Sequence, residues 1–176
     1  MGAPGVKQFR NINKAIFTGF EAGADLPVTA HSGISLSAGY TLAWFPEVPK
    51  VTFEGNLASG TEIINNDPMG EMPAFETQLQ LYYDFTAIRL KPQVSVRAVA
   101  AQNRISESYY EEKTPGYVIT DFSLLWNFYK PVTLSAGVNN LFNVAYYDHL
   151  NRRIPGSTLN LYEPGRSVYV MVRVVI

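Results

Sequence analysis

The sequence predicts an all-β chain whose antiparallel transmembrane strands form a segment of a barrel. Three observations carry this reading. Apolar residues recur with a period of two rather than 3.6. The segments so marked are long enough to cross a bilayer at a tilt. Aromatic residues gather at segment ends, where they would form girdles at the two membrane interfaces. Composition agrees, with 13% aromatic and only 16% charged residues, against about 25% charged in an ordinary soluble domain. The mean hydropathy of -0.03 suits strands that alternate lipid-facing and water-facing positions.

About seven strands follow in order. Ile16, Phe20, Ala22, Ala24 and Leu26 stand against Gly19, Glu21, Gly23 and Asp25. Ile34, Leu36, Ala38, Tyr40, Leu42 and Trp44 alternate with Ser35, Ser37, Gly39 and Thr41. Leu79, Leu81, Tyr83 and Phe85 alternate with Gln78, Gln80 and Asp84; Val94, Val96, Ala98 and Ala100 with Gln93, Ser95 and Arg97. Val118, Phe122, Leu124, Trp126 and Phe128 face away from Asp121, Ser123 and Asn127. Val132, Leu134, Ala136 and Val138 oppose Thr133, Ser135, Gly137 and Asn139. The last strand sets Val168, Val170, Val172, Val174 and Ile176 against Ser167, Tyr169, Met171 and Arg173.

The connections alternate short and long. Short ones fall near Thr29 to Gly33, Thr86 to Leu90 and Tyr129 to Pro131. Long ones fall at about Glu47 to Ala74, Ser106 to Gly116 and Phe142 to Glu163. Membrane barrels have short periplasmic turns and long extracellular loops, so the C-terminus is expected in the periplasm. A soluble β-sandwich also alternates. The polar face here, however, is Ser, Gly, Gln and Asn rather than Lys and Glu, which suits a hydrated lumen.

Several function classes fall away. With no cysteine there is no disulfide framework, thiolate metal site or cysteine nucleophile. A net charge of -1 leaves no electrostatic footprint for nucleic acid. No run of apolar residues reaches membrane-helix length. Met1 to Lys14 lacks the apolar core of a signal peptide. No phosphate-binding glycine loop or zinc-type histidine spacing occurs. A Ser/His hydrolase would have to draw on Ser157 and Asp148 beside His149, and no nucleophile motif surrounds them. The chain is expected to be no enzyme and to need no cofactor.

The last third carries a recognisable text. Gly137-Val138-Asn139-Asn140-Leu141-Phe142-Asn143 followed by Tyr146-Tyr147 resembles a recurrent run of the TonB-dependent receptors. Glu163-Pro164-Gly165-Arg166 followed by Tyr169 resembles the opening of that family's final strand. Thr114-Pro115-Gly116-Tyr117, and Asn13-Lys14-Ala15 leading into Gly19-Phe20-Glu21, are similar to the family in order and spacing. The resemblance implies a barrel of about 22 strands with a plugged lumen. Residues 1–176 would supply its C-terminal part, without the plug or the segment that contacts TonB. The implied partners are outer-membrane lipid, the rest of the barrel, the plug, the TonB complex acting through it, and the barrel-assembly machinery. That machinery would read the closing strand through Gly165, Arg166, Tyr169, Val172, Val174 and the terminal Ile176, which stands where the family usually has Phe. The implied activity is active import of a scarce nutrient, such as a siderophore or metal chelate.

Ligand-contact candidates lie in the expected outer loops: His149, Arg152, Arg153, Met69 and Met72. An imidazole with two thioethers would suit copper by ligand softness. The arginine pair would suit an anionic siderophore or phosphate group. Arg97, Arg173, Asp84, Asp121 and Glu21, expected on the lumen side, would pair with each other or with a plug. The alternative is a complete small structural or adhesive outer-membrane barrel of about eight strands, recruiting Val6 to Ile12 as the extra strand.

Overall fold

The computed structural model describes residues 11–55, 57–151 and 159–175. The described residues are strand, turn and loop, with eight strands in one sheet. These are β1 (Ile16–Thr29), β2 (Ser32–Glu54), β3 (Leu57–Pro68), β4 (Glu76–Tyr83), β5 (Leu90–Val99), β6 (Tyr117–Tyr129), β7 (Val132–Asn139) and β8 (Ser167–Val174). The path across the sheet is β1-β2-β4-β5-β6-β7-β8, and β3 pairs with β2 alone. Seven positions therefore line up side by side, as the alternation requires, with β1 and β8 at the edges. Residues 6–10 of the extra strand in the small-barrel alternative lie outside the described residues.

One expectation is corrected. The stretch from Glu47 to Ala74 is not a loop: β2 runs on to Glu54, turns at Gly55 and returns as β3. The ladder from Trp44↔Pro68 to Glu54↔Leu57 zips the two strands together, with an irregularity at Thr52/Phe53. Polar residues occupy both sides of this hairpin, so no two-faced contrast marks it in the sequence. The backbone ladder holds it instead.

The chain divides into two compact units. Of the described residues, the first holds those within Leu42–Gly70 and Ile105–Glu112 together with residues 11–18. Its core is small: Ala43, Phe45 and Val48 are buried. The second holds Gly19–Thr41, Glu71–Arg104 and the described residues from Lys113 onward.

In the second unit the register decides what each face presents. Ile34 opposes Leu81 and Leu36 opposes Leu79; Val94 opposes Phe122, Trp126 opposes Leu134, and Val138 opposes Val168. One position along, Ser35 opposes Gln80, Ser37 opposes Gln78, Gln78 opposes Arg97, Ser95 opposes Asp121, and Asn139 opposes Ser167. The sheet thus has one apolar and one polar face, each continuous across strands. The apolar face stays uncovered in the isolated chain, Val170 being 68% exposed. A contiguous uncovered apolar face marks an interaction or membrane surface. Two glycines on the polar face sit beneath cross-strand tyrosines, Gly33 under Tyr82 and Gly137 under Tyr169. Glycine leaves room for a ring to lie flat against the sheet there.

A charge placed on the apolar face tests its assignment to lipid. Val170→Arg in the intact protein is expected to cost about 2–4 kcal/mol near the bilayer midplane. Met171→Arg, one position along on the polar face, should cost little. The readout is the fraction of protein running as a folded, heat-modifiable species in membranes. Equal loss from both variants would argue against a lipid-facing Val170.

Candidate functional site

The second unit's polar face carries a charged cluster at its loop end. Arg97 on β5 donates from Nη2 to Glu76 Oε2 at 2.7 Å and to Asp148 Oδ2 at 3.4 Å. Glu76 is brought there by the β4–β5 ladder, two positions along its strand from Gln78, the residue opposite Arg97. The Tyr117 hydroxyl donates to the same Asp148 oxygen at 2.9 Å, and the Leu150 N–H donates to Asp148 Oδ1 at 3.0 Å. Burial works to raise the Asp148 pKa, but the Leu150 N–H, the Tyr117 hydroxyl and Arg97 outweigh it and hold the carboxyl below its ordinary range. His149 follows directly, its Nδ1 within 3.1 Å of Thr114 Oγ1. Tyr146 stacks on Tyr117 with ring centroids 4.5 Å apart. Burial pushes the Tyr146 hydroxyl up, Glu163 adds to this and Arg97 opposes it, so Tyr146 stays protonated at neutral pH.

Two cavities flank Arg97. One of about 100 Å³ is lined by Glu76, Thr114, Tyr117, Asp148 and His149 among others. The other, of about 250 Å³, is lined by Asp121, Asn139, Tyr146 and Ser167 among others.

The turn after β7 is built by asparagines. Asn140 is 3% exposed with φ of 51°, a backbone region that asparagine tolerates better than most residues. Its Oδ1 accepts from Val144 N at 2.8 Å, its Nδ2 donates to Val144 O at 2.9 Å, and its N–H donates to Asp121 Oδ1 at 2.7 Å. Asn143 Oδ1 accepts the Arg166 N–H at 2.9 Å at the entry to β8. A Cβ on Gly165 would stand 2.8 Å from that same oxygen. Asn140→Ala is expected to lose both local bonds and destabilise the intact receptor by about 2 kcal/mol. A shift of its urea midpoint measures this.

The first unit has its own polar hub. Asp67, 2% exposed at the end of β3, accepts from Ser106 Oγ at 2.7 Å and Ser108 Oγ at 2.5 Å. It also accepts the N–H groups of Glu107 at 2.8 Å and Ser108 at 3.1 Å. The Tyr110 hydroxyl bonds to Val51 O, and Lys50 lies between Glu62 at 3.4 Å and Glu107 at 3.9 Å. Residues 105–112 are thereby strapped to the β2–β3 hairpin.

The ligand-contact candidates from the sequence are placed unevenly. His149 is in the charged cluster. Met72 is in the same unit, its carbonyl accepting from Gln102 Nε2 at 3.0 Å. Met69 is in the first unit, its N–H donating to Ala43 O at 2.9 Å. Arg152, Arg153 and Ser157 lie outside the described residues, as does Ile176 of the closing strand. Gly165, Arg166, Tyr169, Val172 and Val174 are at the entry to β8 and along it. No group of three or more His, Cys, Asp or Glu residues suited to a metal ion occurs among the described residues. Of the expected ion pairs, none forms among Arg97, Arg173, Asp84, Asp121 and Glu21 themselves; Arg97 takes Glu76 and Asp148, and the plug stands as the other expected partner. Glu76 and Asp67 were not singled out by sequence reasoning; Tyr117 entered only as part of a family-like run, and Asp148 only as a nominal partner of His149 in a hydrolase that was set aside. For Glu76 and Tyr117 a signal existed, since each starts a strand beside a residue already placed on the polar face. Asp67 gave none, because its partners lie about 40 positions away.

Comparison with known proteins fits this geometry. The family described as "TonB dependent receptor-like, beta-barrel" matches residues 2–141. No curated protein sequence matches. Among solved structures, the copper transporter OprC is similar with a TM-score of 0.72 at 23% identity, covering 90% of this chain and 23% of that one. The ferric yersiniabactin uptake receptor FyuA from Yersinia pestis is similar with a TM-score of 0.66 at 18% identity, covering 91% and 23%. The FrpB iron transporter from Neisseria meningitidis (F5-1 variant) follows with a TM-score of 0.63 at 21% identity, covering 90% and 23%. The chain thus spans about a quarter of the length of these structures. With the family matched over most of its length and its strands arranged as a two-faced membrane sheet, the chain belongs to the β-barrel family of TonB-dependent outer-membrane receptors.

Proposed function

We propose that this chain is the C-terminal part of the barrel of an outer-membrane receptor that imports a scarce nutrient, such as a siderophore or metal chelate. Import is TonB-dependent: a plug, supplied by the rest of the receptor, fills the lumen and is rearranged by TonB. The short turns and the C-terminus face the periplasm, the long connections face outward, and the barrel-assembly machinery reads the closing strand. The observation that carries this reading is the family match over residues 2–141, laid on a sheet with one apolar and one polar face.

The test is accumulation of radiolabelled iron, copper and zinc, free and chelated, in cells with and without the receptor and with and without TonB. Uptake of one probe is expected to fall about tenfold on losing either. Uptake that needs the receptor but ignores TonB would overturn the transport mechanism. A mature outer-membrane species near 19.6 kDa would overturn the large-receptor reading in favour of a small barrel.

In this reading the ligand is first met by the outer connections, where His149, Arg152, Arg153, Met69 and Met72 are the contact residues. For copper, the combined His149→Ala, Met69→Ala and Met72→Ala variant should abolish accumulation. Unchanged copper accumulation would remove copper from the substrate list.

A further inference from the structure

We propose that the pocket of about 250 Å³ between Arg97, Asp121, Tyr146 and Ser167 binds a zwitterionic ligand head, an ammonium group beside a carboxylate. This rests on the import reading and narrows its substrate class. The pocket lies on the sheet's polar face: Arg97 opposes Ile119, Ser95 opposes Asp121, and Asn139 opposes Ser167. Pro164 and Gly165 close one side.

The argument is an account of donors, acceptors and charge. Arg97 makes both of its ion pairs through Nη2, and its Nε and Nη1 N–H groups meet no acceptor among the described residues. The Tyr146 hydroxyl has no hydrogen-bond partner among the described residues either; the ring packs on Tyr117. Ser167 Oγ accepts from Asn139 Nδ2 at 3.3 Å and keeps its own proton to donate. These donors want an oxygen acceptor, and a guanidinium edge matches a carboxylate.

Asp121 supplies the opposite need. Its Oδ1 accepts the Asn140 N–H, while Oδ2 meets no donor among the described residues. Arg97 is already matched by two carboxylates, Glu76 and Asp148. Asp121 is therefore the uncompensated charge of the pocket. A bare anion would find donors but also a net negative surround. A bare amine would satisfy Asp121 and leave the donors unmatched. A group carrying both charges on neighbouring atoms answers both, and unmet polar groups on either side cost binding energy.

The experiment uses the purified intact receptor and three probes of similar size: L-alanine, propionate and ethylamine. Saturation-transfer NMR titration reads their binding. Alanine is expected to bind about tenfold tighter than either single-charge probe. Asp121→Asn, which keeps the oxygen that holds the Asn140 N–H, should weaken alanine about tenfold and leave propionate unweakened. Tyr146→Phe should weaken alanine about threefold. Propionate binding as tightly as alanine would replace the proposal with a plain oxyanion site. No binding of alanine, or binding unchanged in both variants, would overturn it. Because binding is read without transport, a receptor that binds alanine but fails the TonB test would sink the import reading alone. One that imports but does not bind alanine would sink only the zwitterion pocket.

Discussion

Replacing Asp67 with alanine will free residues 105–112 from the β2–β3 hairpin while leaving the membrane strands paired. The carboxylate gathers two hydroxyls and two backbone N–H groups from Ser106, Glu107 and Ser108. Removing it leaves these donors without an acceptor in a site where Ser106 is fully buried. Once the strap opens, water replaces part of what is lost, so the net effect is about 3 kcal/mol. Hydrogen exchange of the Glu107 and Ser108 amides in the intact receptor should accelerate about hundredfold. Asp67→Asn keeps one oxygen acceptor and should fall between. Unchanged exchange in Asp67→Ala would show that the Tyr110–Val51 bond and the Lys50–Glu107 pair hold the strap without it. The same contacts set a pH dependence. Burial tends to raise the Asp67 pKa, yet bonds from Ser108, Ser106 and Glu107 prevail and hold it below its ordinary 3.8. A depressed folded pKa means the contribution is complete above the unfolded value and is lost as pH falls through the folded one. The strap should therefore stay closed at neutral and mildly acidic pH and loosen only in stronger acid, below 3.8.

The second large effect is expected at Gly116, ahead of β6. A Cβ there would stand 2.7 Å from Val99 O, 2.8 Å from Ala101 N and 2.9 Å from Ala100 C. All three are backbone atoms, so no rotamer change relieves the clash; the chain must move where it leaves β5. Gly116→Ala should cost about 1–3 kcal/mol and Gly116→Val more. The yield of folded receptor in outer membranes and its urea midpoint measure this. Gly137→Ala is the control. Its Cβ would meet the Tyr169 ring at 2.6–2.7 Å, and a ring end can swing aside. If Gly137→Ala proved as damaging as Gly116→Ala, the distinction between yielding side chain and unyielding backbone would be wrong.

The membrane strands were legible because lipid and lumen impose opposite demands on alternate residues. Val132 to Val138 and Val168 to Val174 read almost without exception, and the ladder places them opposite one another on one face. The β2–β3 hairpin was not legible, because its two faces carry no such contrast. Lys50, Glu54, Glu62 and Asn65 scatter over both sides of β2 and β3, and Pro46, Pro49 and Pro68 look like loop punctuation. The candidate site was legible only in part. Asp148 and His149 sit in a conspicuous loop, and Arg97 breaks a polar face. Their meeting with Glu76 and Tyr117 depends on strand register and on a chain excursion of 51 residues from Arg97 to Asp148. No local pattern encodes such a meeting. The turn after β7 was closer to the opposite case, since both side-chain bonds of Asn140 reach only four residues along the chain.

The two-faced register also determines which inherited changes this sheet can absorb. Substitutions act one side chain at a time, and small-for-small exchanges on the polar face disturb little. A single-residue insertion or deletion inside β5 or β6 is different in kind. Every residue beyond it changes sides, so Val94, Val96, Phe122 and Leu124 would turn to the lumen and Gln93, Ser95, Arg97 and Asp121 to lipid. Length variation among descendants of this gene should therefore concentrate in 101–115 and 144–163, and within strands appear as compensated pairs or as bulges. The polar face can drift by point changes, while the strand lengths stay fixed.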